Sequence, residues 1–116
     1  MVERRSAPRV NVSFPLRVGG ISGRGEGQAV NMSLSGVLFA SDAELEEREL
    51  VVLRIGLDAD TTVDCVAQIV RADDRGGTQL YGAAFRYLSA ADRQRLNFAL
   101  LLLREPALSG RLGRPI

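Results

Sequence analysis

From Val10 the chain alternates. Val10, Val12, Phe14, Leu16 and Val18 share one face, and Asn11, Ser13, Pro15 and Arg17 share the other. Successive side chains of an extended chain point to opposite faces, so this pattern predicts a half-buried strand over residues 10–18. Pro15 has no N–H to give a ladder and needs an edge, a bulge or an outward-facing amide. Two further extended pieces, Gln28 to Asn31 and Val37 to Ala40, flank the polar turn Met32 to Gly36. Leu50 to Leu57 and Thr61 to Arg71 are rich in Val, Ile and Thr and read as strands separated by Asp58, Ala59 and Asp60. Asp73 to Gly77 reads as a tight reversal, because glycine supplies positive φ, and Thr78 to Tyr87 runs back as the next strand. Gly19, Gly20, Gly23, Gly25 and Gly27 predict a flexible connection or bulged hairpin end over residues 19–27. The G-x-G-x-G spacing within it has no strongly apolar strand before it and no helical pattern after it, so a plain turn is the reading rather than a phosphate loop.

The period changes after Ser89. That serine suits a helix cap, Asp92 suits the positive first turn, and Leu96, Ala99, Leu100 and Leu103 recur at helical spacing, which predicts one helix over residues 90–104. Phe98 and Leu100 to Leu103 spread apolar surface around more of the helix than one packed face requires. Two readings stay open: a second copy covers the excess and makes a homodimer, or the barrel and a neighbouring loop cover it. Pro106, Gly110, Gly113 and Pro115 make residues 105–116 a frayed tail. Six short strands with turn signals and one terminal helix predict a mainly β fold, a small six-stranded antiparallel β-barrel with one C-terminal α-helix. The barrel and helix occupy residues 10–104, preceded by an arginine-rich arm over residues 1–9.

Composition narrows the chemistry. The 116 residues are 46% hydrophobic and 25% charged, which suits one compact domain. With no histidine and Cys65 as the single cysteine, zinc-finger sites, intrachain disulfides and the commonest general base are excluded. All 15 basic residues are arginine, so no P-loop lysine or Schiff-base lysine exists. Asp58, Asp60 and Asp64 lack the loop glycine and distal glutamate of a calcium site, and an enzyme is the least expected class. No apolar run reaches the ~18 residues of a membrane span, and the charged amino end is no secretory signal, so a cytoplasmic location is expected. The net charge of +1 conceals asymmetry: residues 1–24 hold five arginines against Glu3 alone, so the amino end attracts anions. The acidic stretch 42–49 reads as a solvated loop without chemistry.

Two polar clusters remain that structure alone does not demand. Arg4, Arg5 and Arg9 precede the first strand, with Pro8 holding Ala7 away from helical geometry. Each guanidinium can bridge a phosphate or the O6 and N7 edge of guanine bidentately, and can stack on a purine face. In the turn between the second and third strands, Asn31 offers an amide for a base edge, Ser33 a hydroxyl, and Gly36 a close backbone approach. Together they suit a phosphorylated guanine nucleotide.

These residues resemble the PilZ domain family, receptors for the bacterial second messenger cyclic di-GMP. The resemblance rests on R-x-x-x-R, here Arg5 to Arg9, and [D/N]-x-S-x-x-G, here Asn31 to Gly36, in that order with one strand between. It extends through Ala67 to Arg71 and through Tyr81 to Ser89, and so over residues 3–104. It implies that Arg5 and Arg9 hold guanine and phosphate, that Asn31 and Ser33 meet the other side of the nucleotide, and that Gly36 shapes the turn. An arginine directly before the first motif, here Arg4, implies two stacked ligands rather than one. Asn31 stands where aspartate is more frequent; a carboxylate would accept from both N1–H and N2–H of guanine. The function implied is a non-catalytic receptor without cofactor, whose arm orders on the ligand and signals to a downstream protein. The rival is a degenerate PilZ-like adaptor that binds no nucleotide. A third reading, a binder of single-stranded nucleic acid, is opposed by the near-zero net charge and by aromatics that fall in phase with the core.

Overall fold

The computed structural model describes residues 9–104, apart from the Arg75 side chain. The segments carrying Arg4 and Arg5, and the expected tail 105–116, lie outside the described residues. Six strands precede one helix: β1 (Val10–Gly20), β2 (Arg24–Met32), β3 (Gly36–Ser41), β4 (Leu50–Asp58), β5 (Thr61–Arg75), β6 (Thr78–Leu88) and α1 (Ala90–Arg104). All pairings are antiparallel, and the strands close into a barrel in the order β1-β2-β3-β6-β5-β4. Closure leaves no free sheet edge, which is how a small all-β domain avoids edge-to-edge association.

The core follows from the alternation. Leu16 and Val18 of β1, Val37 and Phe39 of β3, Val51, Leu53 and Ile55 of β4, and Val63, Cys65, Ala67 and Ile69 of β5 all point inward and are buried. Pro15 stands one residue before the β1–β4 ladder begins at Leu16, so its missing N–H costs no bond on that side. At α1, the Ser89 hydroxyl accepts the Asp92 N–H at 3.1 Å, and the Asp92 carboxylate accepts the Asp64 N–H at 3.2 Å, which ties the start of the helix to β5. Leu96 and Leu100 seal the helix against the barrel, while Phe98 and Leu103 remain exposed.

Two expectations need correction. Residues 24–27 are not a turn but the first half of β2, paired with β1 and, from Gly27, with β3. Gly27 serves close approach between strands, because a β-carbon there would collide with the Ala40 backbone carbonyl, whereas one at Gly25 would meet only the end of the Asp42 side chain and the edge of Ala43. The β5–β6 reversal is shorter than Asp73 to Gly77. Arg75 pairs with Thr78, leaving a two-residue turn in which Gly76 and Gly77 have φ of 66° and 95°. Positive φ at both central positions matches the right-handed twist of the flanking strands. The acidic stretch behaves partly as expected. Its carboxylates are largely exposed, but Ala43 and Leu45 between them are buried in the core. Tyr81 Oη fixes that segment by donating to the Ala43 carbonyl at 2.7 Å and accepting from the Leu45 N–H at 3.0 Å.

Candidate functional site

The end of β2, the turn after it and the start of β1 form one constellation. Strand β1 begins with Val10 opposite Met32 and Asn11 opposite Asn31, which brings Arg9 beside the Asn31 turn. Arg9 Nε donates to Asn31 Oδ1 at 2.8 Å. Arginine can only donate, so this contact fixes the Asn31 carboxamide oxygen toward Arg9, and among the described residues its NH2 group is free to donate elsewhere. Arg9 is exposed, and among the described residues its guanidinium makes this one hydrogen bond.

The turn is built from within. Ser33 is fully buried; its Oγ lies 2.9 Å from Ser35 Oγ and accepts the Ser35 N–H at 3.0 Å, while the Ser33 N–H donates to the Gly36 carbonyl at 2.9 Å. Ser33 therefore shapes the turn and does not line the groove beside it, whereas Ser35 is exposed and does. Gly36 is required by proximity rather than by φ: a β-carbon there would stand 2.5 Å from the Ala83 carbonyl oxygen of β6. The Phe85 N–H donates to the Ser35 carbonyl at 2.9 Å and locks the turn onto β6.

A shallow groove runs from this turn across the outer wall of the barrel. Arg9, Asn31 and Ser35 border one side, Gly36 and Gly82 keep the middle low, and Arg71 and Val70 of β5 border the other. The register makes the groove a straight cross-strand row: Asn31 faces Leu38, Leu38 faces Gly82, and Gly82 faces Arg71. Arg71 was outside the motifs, and sequence reasoning missed it together with Ser35. A wider depression lies across the barrel on β1, β2, β4 and β5, where two of its three arginines are paired with carboxylates: Arg17 with Glu26 at 3.7 Å and Arg54 with Asp64 at 2.8 Å, beside Arg24. The Arg54 guanidinium, by hydrogen bonding, holds the Asp64 carboxyl below its ordinary range.

The family model for the PilZ domain matches residues 3–101. The chain belongs to the PilZ domain family. This is a family of non-enzymatic receptors that bind cyclic di-GMP as a regulatory ligand rather than a cofactor. Among solved structures, the PilZ fold of this chain is similar to the PilZ domain of YcgR from Escherichia coli with c-di-GMP, at 15% identity and a TM-score of 0.74, covering 97% of this chain and 100% of that one. It is also similar to YcgR from Escherichia coli in complex with c-di-GMP, at 17% identity and a TM-score of 0.75, covering 98% of this chain and 52% of that one. A third likeness is to the inhibitor of motility MotI/DgrA of Bacillus subtilis, at 15% identity and a TM-score of 0.74, covering 95% of this chain and 54% of that one. The chain thus spans about half the length of two of these proteins. No curated protein matches the sequence. Among the described residues, no helix is long and apolar enough to cross a membrane.

Proposed function

We propose that this chain is a non-catalytic receptor for cyclic di-GMP, held between the R-x-x-x-R segment and the Asn31–Gly36 turn. The observation that carries the reading is the 2.8 Å hydrogen bond from Arg9 to Asn31, which joins the two motifs across 22 residues of sequence. Arg5 and Arg9 bind phosphate and guanine through planar, bidentate contacts, and Arg4 supports a second, stacked molecule. The Asn31 NH2 group donates to the base edge, Ser33 holds the turn in shape, and Gly36 lets the turn lie against β6.

Asparagine has a specific electrostatic consequence. An aspartate bonded to Arg9 would neutralise it, whereas the neutral amide orients the guanidinium and leaves its full charge for a ligand with two phosphates. Signalling follows when the segment 1–9 closes over the ligand, so that arm, ligand and barrel form a new surface that binds or releases a downstream protein in the cytoplasm. The ligand drives this only by its differential affinity for the closed form.

The test is calorimetry with cyclic di-GMP on the wild type, Arg5→Ala and Arg9→Ala. Micromolar or tighter binding by the wild type and its loss in both variants is expected, with two ligands per chain if Arg4 plays its assigned part. Undiminished binding in the variants overturns the site. A flat titration of folded wild-type protein points instead to an adaptor that acts by protein contact alone.

A further inference from the structure

The row Asn31–Leu38–Gly82–Arg71 has a feature at each end that alternation does not explain. In β2, Ala29 faces Phe39 and Asn31 faces Leu38, so Val30 is an extra residue relative to β3. In β5, Ile69 faces Ala83 and Arg71 faces Gly82, so Val70 is an extra residue relative to β6. Each is a β-bulge, a device that re-aims the side chains beside it. Ala29 and Ile69 are fully buried. With unbroken alternation Asn31 and Arg71, two residues further on, would point into the core as well. The bulges turn both outward, onto the same row and from opposite sides.

Arg71 is also free to act there. Its one ion pair among the described residues, Nε to Asp73 at 3.6 Å, joins side chains that are 58% and 42% exposed, a geometry that contributes little to stability and gives way readily. It leans over the groove: a β-carbon added at Gly82 would lie 3.6 Å from Arg71 Cβ and 4.0 Å from its Nε. Three strand spacings of ~4.8 Å separate Asn31 from Arg71, so the two ends of the row stand about 14 Å apart. Between them lie Gly82 and the half-buried Leu38, a low floor with no charge of its own.

We propose that Arg71 is the far-side ligand residue of this groove, its guanidinium gripping the half of a guanine dinucleotide that extends past Gly82 while Arg9 and Asn31 hold the near half. The inference rests on the reading of the groove as a cyclic di-GMP site. A planar guanidinium there can stack on a purine or bridge phosphate or the guanine O6 and N7 edge, which an ammonium cannot reproduce.

The test is calorimetry with cyclic di-GMP on the full chain and its Arg71→Ala, Arg71→Lys, Asp73→Ala and Arg9→Ala variants, with thermal melts of each. Arg71→Ala is expected to lose tenfold or more in affinity while melting with the wild type, because Arg71 is exposed. Arg71→Lys regains only part of the loss, and Asp73→Ala binds at least as tightly as the wild type. In a spectrum of arginine side-chain N–H groups, the Arg71 Nε–H signal of the wild type shifts at saturation. Arg71→Ala within twofold of the wild type, while Arg9→Ala loses binding, overturns the role of Arg71 and leaves the receptor reading intact. Absence of binding by the wild type removes the receptor reading and this inference together.

Discussion

Gly36→Ala and Gly82→Ala place the same methyl group on the same groove, and their effects on stability are expected to differ in sign. At Gly36 the new carbon would stand 2.5 Å from the Ala83 carbonyl oxygen. Non-bonded heavy atoms settle at about 3.5 Å, so β3 has to retreat from β6 by about 1 Å. The obstacle is backbone and cannot rotate away. Retreat strains two bonds at this corner, Ser33 N–H to Gly36 and Phe85 N–H to Ser35, each 2.9 Å. Overpacking costs about 1–3 kcal/mol and each weakened bond about 1 kcal/mol. The lower entropy of the unfolded alanine chain offsets about 0.4–1 kcal/mol. The net loss is about 2–4.5 kcal/mol, and Tm falls by roughly 10–25 °C for a domain of this size. At Gly82 the nearest atoms to the methyl are Arg71 Cβ at 3.6 Å and Val70 Cγ2 at 3.9 Å, which is ordinary contact, and φ is not left-handed. That variant is expected to melt at or up to a few degrees above the wild type, from a gain of about 0–1 kcal/mol. Scanning calorimetry on the three proteins decides. Equal melting of the two variants, or a Gly36→Ala protein that melts with the wild type, refutes the close approach of β3 to β6.

Three more outcomes are expected. Tyr81→Phe keeps the ring against Phe39, with centroids 5.5 Å apart, but leaves the Ala43 carbonyl and the Leu45 N–H without their partner; a loss of about 1–3 kcal/mol should lower the urea midpoint, and an unchanged midpoint contradicts it. Burial pushes the Cys65 thiol up to about 12, with Asp64 and Asp92 adding to the shift, so a thiol reagent at mildly alkaline pH should react only as the protein unfolds. Because the folded pKa is raised, the neutral thiol's contribution is complete below the unfolded value of about 8.5 and is lost as pH rises toward about 12; a Cys65→Val protein should lack that part of the alkaline decline in the urea midpoint. Ser33→Ala removes the acceptor of the Ser35 N–H inside a buried turn and is expected to cost about 1–2 kcal/mol as read by the same denaturation, and an unchanged midpoint contradicts it.

The sequence carried the fold where local rules decide. The alternation in β1 sends Leu16 and Val18 into the core, and the Ser89 cap starts a helix that runs from Ala90 to Arg104, the span its periodicity predicts. It misled where a partner strand decides. Gly25 and Gly27 look like turn glycines, yet both lie in β2, and Gly27 is demanded by the Ala40 backbone carbonyl, whose proximity exists only once the barrel has closed. Of the residues proposed for the candidate site, the fold brings Arg9, Asn31 and Gly36 together. Ser33 carries a motif position, but its buried hydroxyl serves the turn. The sequence carries one signal of Arg71: Val63, Cys65, Ala67 and Ile69 alternate in the core phase, and Arg71 is the next residue in that phase. A cation on a core position signals a bulge, because an unpaired buried charge is too costly to keep.

A titration of ¹⁵N-labelled protein with cyclic di-GMP locates the ligand most directly. Expected is saturable movement of the Asn31 side-chain NH2, the Arg9 Nε–H and the Gly36 and Gly82 amides, with the Arg17–Arg54 wall of the barrel unmoved. Shifts confined to that opposite wall, or a spectrum unchanged at millimolar ligand, would contradict a guanine dinucleotide site between Arg9 and the Asn31 turn.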